Sequence, residues 1–151
     1  MDNVEFIRGG RELLNDVKPL WESLNEHHKG KSPYFAKKYE DFTFEKRTEK
    51  FMEKDDRIMN IDLIKKYDAY VGYSITTIDS KKEGEIESLF LLYSCRGLGL
   101  GDMLMERAIE WLDSNGAVKK IIGVAVGNED VLEFYKRHGF YKRTIILEQI
   151  N

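Results

Sequence analysis

One stretch narrows the folds open to this chain. The apolar run Leu89-Phe90-Leu91-Leu92 leads into Gly97, Gly99 and Gly101, which open onto Leu104, Met105, Ala108, Ile109, Trp111 and Leu112. The run has the composition of a buried strand, and the later residues recur at the three- and four-residue steps of a helix face. Glycine at alternate positions lets the backbone approach a ligand closely, because no Cβ intervenes. Its N–H groups stand at a helix N-terminus, where donors lack partners and the dipole favours negative charge. Strand, glycine turn and helix in that order predict an α/β unit with a ready pyrophosphate site. The same glycines also suit a tight turn of purely structural use.

The rest of the chain can be read around that unit. Its 151 residues contain only Pro19 and Pro33, and no repeat or biased tract marks a boundary, so residues 1–151 are expected to form a single domain. Residues 4–7 read as a first strand ended by Gly9-Gly10. Leu13, Leu14, Val17, Leu20, Trp21 and Leu24 give a helical face over about 11–28, and a second helix is expected over about 43–54. Strand formers fill 69–78, and a turn at 65–68 predicts an antiparallel pair. A further turn at 81–84 leads to a strand over about 85–93. Helices at about 99–114 and 131–138 then alternate with strands at about 119–126 and 141–148. The pattern predicts a mixed α/β sheet with helices on both faces.

Composition excludes several functions. Lys and Arg number 24 against 27 Asp and Glu, a net charge of −3; without a basic excess, nucleic acid is not an expected partner. The longest apolar run falls far short of the ~20 residues a membrane helix needs, so no membrane partner is expected. The first residues lack the basic start and apolar stretch of a signal peptide. Cys95, the single cysteine, has no internal partner for a disulfide. Together these predict a cytoplasmic protein. His27-His28 has no companion at metal-ligand spacing, so no metal is expected.

Three phosphate loops can be compared. No lysine follows the glycines as a Walker A loop requires, and Gly-x-Gly-x-x-Gly fails because Asp102 and Leu104 fall at its last position. Arg-x-x-Gly-x-Gly does fit, as Arg96, Gly99 and Gly101. Downstream, Asn128 is suited to N-cap a short helix that carries Phe134 and Tyr135 and ends at Gly139-Phe140. Asn128 and Tyr135 are seven residues apart, about two turns, and so lie near one side of it.

These two segments resemble the signatures of the GNAT superfamily of N-acetyltransferases. Within it, the layout of Ile86-Glu87-Ser88-Leu89-Phe90-Leu91, the Arg-Gly loop and Asn128…Phe134-Tyr135-Lys136-Arg137 is similar to that of spermidine/spermine acetyltransferases. The likeness covers about residues 85–140 and departs from the family at Tyr93, often proline, and at Cys95, where an aromatic is common. It implies a mixed central sheet, with antiparallel N-terminal strands and a splayed parallel pair, helices on both faces, and acetyl-CoA as cosubstrate. The implied cofactor-binding residues are Leu89, Phe90, Leu91, Arg96, Gly97, Leu98, Gly99, Leu100, Gly101, Asp102, Asn128 and Tyr135. Dimers are frequent in the family, so a homodimer is a further expectation of the resemblance.

Direct transfer of acetyl to a primary amine needs a proton acceptor, because an alkyl ammonium with a pKa of about 10 is not nucleophilic. Glu87 is the candidate base; Glu85, on the same strand face, or a water chain are alternatives. A backbone N–H freed by a bulge, with Leu91 the expected donor, would stabilise the oxyanion. The resemblance implies that Tyr135 protonates the departing thiolate. The acceptor is expected to be a small-molecule amine, with polyamine, aminoglycoside, amino acid and protein amine all open. A non-catalytic acyl-CoA-binding sensor or scaffold is the competing reading.

Overall fold

A computed structural model describes residues 3–51, 56–125 and 127–150. The chain begins with β1 (Val4–Gly9), passes a short 3-10 turn into α1 (Leu14–Lys31), and continues through α2 (Ala36–Glu40) and α3 (Phe44–Phe51). Three long strands follow, β2 (Ile58–Lys66), β3 (Ala69–Ile78) and β4 (Glu83–Leu91). Then come α4 (Leu100–Ser114), β5 (Lys119–Ile122) and α5 (Leu132–Lys136). The sheet has five strands in the order β1-β2-β3-β4-β5. β1 to β4 pair antiparallel, and β4 and β5 pair in parallel, as expected of a mixed sheet.

Local chemistry explains the turns. The β2–β3 hairpin closes through Tyr67 and Asp68, with Tyr67 at φ 56°. In the β3–β4 turn the Asp79 carboxylate accepts the N–H groups of Lys81 and Glu83 at 3.0 and 2.9 Å, an Asx-type clasp.

The period of two along β2 and β3 divides the core. Ile61, Leu63, Tyr73 and Ile75 turn toward α1 and α3, where Val17, Leu20, Trp21, Phe44 and Phe51 cover them. On the opposite face α4 lays Leu100 and Leu104 against Ile64, Val71 and Leu91. Further along α4, Met105, Ala108 and Leu112 pack on Ile78 and Ile86. Helices therefore cover both faces, and α4 leaves the sheet directly after the glycine loop. Beneath α4 lies one fully buried charge: Asp62 accepts two hydrogen bonds from Arg8 at 3.1 and 3.0 Å, with Arg107 and Asn60 completing its shell at 3.0 and 3.1 Å.

Several expectations are corrected. The strand expected at 141–148 does not form: residues 141–150 have neither helix nor strand and are exposed, with Ile146 and Leu147 87% and 91% accessible. A strand forms only where a partner edge supplies its ladder, and β5, expected to reach 126, ends at Ile122. An ion pair from Lys38 to Glu148 at 3.0 Å ties this segment to α2, a helix that sequence reading missed. The second helix ends at Phe51 in the structure; the rest of its expected span includes 52–55, outside the described residues. Among the described residues, no helix is long and apolar enough to cross a membrane.

Candidate active site

β4 forms the floor of the site because it outruns its neighbour. Its ladder with β5 runs from Glu83 opposite Lys119 to Ile86 opposite Ile122, and β4 then continues alone on that edge to Leu91. The Leu92 N–H donates to the Val71 carbonyl of β3 at 2.9 Å. Since successive N–H groups of an extended chain point to opposite edges, the Leu91 N–H turns toward the gap that β5 leaves. The bulge, however, lies elsewhere: Ile75 faces Ser88 and Thr76 faces Ile86, so Glu87 is the extra residue. Leu91 stays in register with Gly72. Its outward N–H thus follows from the splay of β4 from β5, not from a bulge.

The glycine loop borders one side of this gap. Gly97 and Gly99 sit at φ 81° and 82°, a left-handed conformation that a Cβ disfavours. Gly101 has another reason: a Cβ there would stand 3.4 Å from the Phe134 ring. No side chain caps α4, whose first intrahelical bond runs from Met103 N–H to the Gly99 carbonyl at 3.1 Å. The N–H groups of Leu100, Gly101 and Asp102 are left without an intrahelical acceptor. Arg96 donates through Nε to the Leu91 carbonyl at 3.1 Å, pinning the loop to the end of β4.

The other side comes from the 3-10 turn at Glu129–Val131 and from α5. Asn128 occupies the N-cap position but makes no side-chain cap hydrogen bond, which corrects the capping role expected of it. Its amide instead lines the gap. Asp102, in the first turn of α4, is held by Arg137 at 2.9 and 3.1 Å and by His138 at 2.7 Å. These bonds hold the Asp102 carboxyl below its usual range, the one from His138 contributing most. They also lock α5 to the helix that presents the glycine loop.

Between these walls lies a cleft of roughly 390 Å3. Leu89, Phe90, Leu91, Arg96, Gly97, Gly99, Gly101, Asp102, Asn128 and Tyr135 all line it. Leu98 and Leu100 do not: the first is exposed and the second is buried in the core. Burial raises the Tyr135 phenol above its ordinary pKa, which keeps its proton in place at neutral pH. Sequence reading missed Leu24 and His27 of α1, which line the cleft as well. Their signal was the three-residue step continuing the apolar face of α1.

Glu87 does not line the cleft. Its side chain is 3% exposed and bound from three directions, by Arg57 at 3.2 Å, Arg47 at 3.6 Å and the Thr77 hydroxyl at 2.6 Å. Arg47 also donates to the Glu87 carbonyl at 2.8 Å, clasping the bulge. Two residues back, the Glu85 carboxyl is pushed up to about 7, first by burial and then by the adjacent Glu87 charge. Among the described residues, no group of three or more His, Cys, Asp or Glu is placed to hold a metal ion.

The splayed parallel pair, the glycine loop and the tyrosine-bearing helix agree with what similar proteins show. A GCN5-related N-acetyltransferase from Ralstonia eutropha superposes with a TM-score of 0.76 at 16% identity, over 97% of this chain and 98% of that one. An aminoglycoside N-acetyltransferase solved with CoA superposes with a TM-score of 0.68 at 15% identity, over 97% and 94%. At such identities the likeness is one of fold. An uncharacterized N-acetyltransferase of Methanocaldococcus jannaschii is 33% identical over 72 residues, which span 48% of this chain and 32% of that relative. The model of the Acetyltransferase (GNAT) family matches residues 19–140, a span that takes in both walls of the cleft, and the chain belongs to that family.

Proposed function

We propose that residues 1–151 act as one catalytic domain that transfers an acetyl group from acetyl-CoA to the primary amine of a small molecule. The observation that carries this reading is the cleft itself, where the exposed edge of β4 runs between an uncapped glycine loop and Tyr135. The residues fit the cosubstrate. Backbone N–H groups from Gly97 to Asp102 suit a pyrophosphate, and the free Asn128 amide and the edge of β4 suit the amide-bearing arm. Acetyl-CoA supplies an activated thioester carbonyl.

In this reading the Leu91 N–H stabilises negative charge developing on that carbonyl oxygen. The phenol of Tyr135 gives its proton to the departing sulfur. The carboxyls of β4, expected to act through Glu87 or Glu85, take the proton of the ammonium so that a neutral amine attacks. Cys95 is buried and packs in the core beneath α4, so transfer is direct, without an acyl-enzyme. The aminoglycoside acetyltransferase of the same fold supports a small amine as acceptor.

Thermal unfolding with acetyl-CoA, and with NAD and ATP as controls, tests the cleft. Ligand at 100 times its Kd adds about 2.7 kcal/mol, roughly 5–10 °C at this length. The expected result is a shift with acetyl-CoA alone, followed by release of free thiol on addition of an accepted amine. No shift at saturating acetyl-CoA defeats the reading; a shift without thiol release from any amine leaves a binding module.

A further inference from the structure

The paired carboxyls on β4 pose a question that spacing along the strand could not answer: which of them exchanges a proton. The charged groups facing Glu85 are Glu87 from its own strand, Arg47 from α3, and Arg57 from the segment leading into β2. β3 contributes the Thr77 hydroxyl to Glu87, and β5 places Ile121 opposite Glu85. All hydrogen bonds and ion pairs from these groups converge on Glu87. Arg57 meets Oε2 at 3.2 Å, where the Thr77 hydroxyl donates at 2.6 Å, and Arg47 stands 3.6 Å from Oε1. Arg47 is itself fixed, with its guanidinium 4.4 Å from the centre of the Phe51 ring and bonded to the Glu87 carbonyl.

We infer that Arg47 and Arg57 are positioning residues that hold Glu87 ionised and thereby make Glu85 the carboxyl that exchanges a proton with the acceptor amine. Two guanidiniums and a hydroxyl donor on one carboxylate stabilise its charge. A second carboxyl beside that fixed charge, half-buried and without a cation of its own at bonding distance, is then the one that protonates. Its pKa, pushed up to about 7, suits a base working near neutrality. The inference rests on the acetyl-transfer reading for the reaction that Glu85 serves. There the ammonium gives its proton to the Glu85 carboxylate, the amine nitrogen bonds to the acetyl carbon, the carbon–sulfur bond breaks, and the sulfur takes a proton from Tyr135.

Two measurements test it. The first needs no substrate: 13C NMR titration of glutamate carboxyls, with the Glu85 signal assigned through Glu85→Gln. The expected result is a Glu85 carboxyl that titrates near 7 in the native chain and higher in Arg47→Met and Arg57→Met, which lose a nearby cation; Arg47→Lys should restore the native value. The second is kcat/KM against pH. Arg47→Met should displace the acid limb upward by about one unit, a roughly tenfold loss at pH 6 that fades by pH 9, and Glu85→Gln should abolish that limb. A structural role alone would lower activity equally at every pH.

A Glu85 carboxyl titrating near the ordinary 4.3 overturns the inference, as does an acid limb unchanged in Glu85→Gln. Arg57→Met, remote from the bulge carbonyl, supplies the same readouts if Arg47→Met does not fold. A Glu85 that titrates as expected, in a chain that binds acetyl-CoA yet acetylates no amine, sinks the transfer reading and upholds the sharing of the proton.

Discussion

His138 Nε2 stands 2.7 Å from Oδ1 of Asp102, joining the end of α5 to the first turn of α4. With Arg137 on the same carboxylate, this contact fixes the wall that carries Tyr135 relative to the glycine loop. Asp102→Asn keeps the shape and removes the charge. The pairs are largely exposed, so stability should fall by about 1 kcal/mol or less. Turnover is the more sensitive readout, because misplacing a reacting group is costly: kcat should drop about tenfold. The Asp102 carboxyl lies below its usual range when folded. Its stabilisation is therefore present above the unfolded value of 3.8 and is lost only as pH falls through the lower folded one. From pH 5 to 8 its own titration should leave the difference between native chain and variant constant in thermal melts.

Glu85 behaves in the opposite sense. Its folded carboxyl binds a proton up to about pH 7, whereas the unfolded one releases it near 4.5. The folded state binds more protons between those values, so stability contributed by this group falls as pH rises from about 4.5 to about 7. Melting temperature followed across that window should decline in the native chain and be flatter in Glu85→Gln. An identical slope in both would show that this carboxyl titrates normally.

Tyr135→Phe retains the ring, whose centroid lies 5.3 Å from that of Phe134, and removes only the proton donor. If the phenol protonates the sulfur, kcat falls by about 10²–10⁴-fold while the acetyl-CoA thermal shift persists. A kcat within twofold of the native value would take Tyr135 out of the chemistry and leave it a packing residue.

Asp62 is the strongest test of stability apart from the site. Its side chain is 0% exposed, and Arg8 and Arg107 keep about a third of theirs in solvent. Asp62→Ala leaves two guanidiniums converging on nothing and should cost about 3 kcal/mol or more, read as a lower urea midpoint. Arg8→Ala should cost less, about 1–2 kcal/mol, because Arg107 still neutralises the carboxylate.

The sequence by itself determined the parts whose physics is local. Alternate glycines after an apolar run specify left-handed backbone and an open helix start, and the structure has Gly97 and Gly99 in that conformation. Periods of two and near four placed the long strands and the helix faces, since each element must bury one side. The tertiary structure alone decided what depends on a partner. The strand expected at 141–148 had the right composition, yet β5 ended before it could offer an edge. Asn128 had a capping residue's chemistry, but the turn left its amide to the cleft. The Glu85–Glu87 pair was visible as two carboxyls on one strand. Their inequality was not, because Arg47 and Arg57 come from separate segments that only packing brings to one of them. Charge and burial act through space, and a chain does not reveal which distant residues will share that space until it folds.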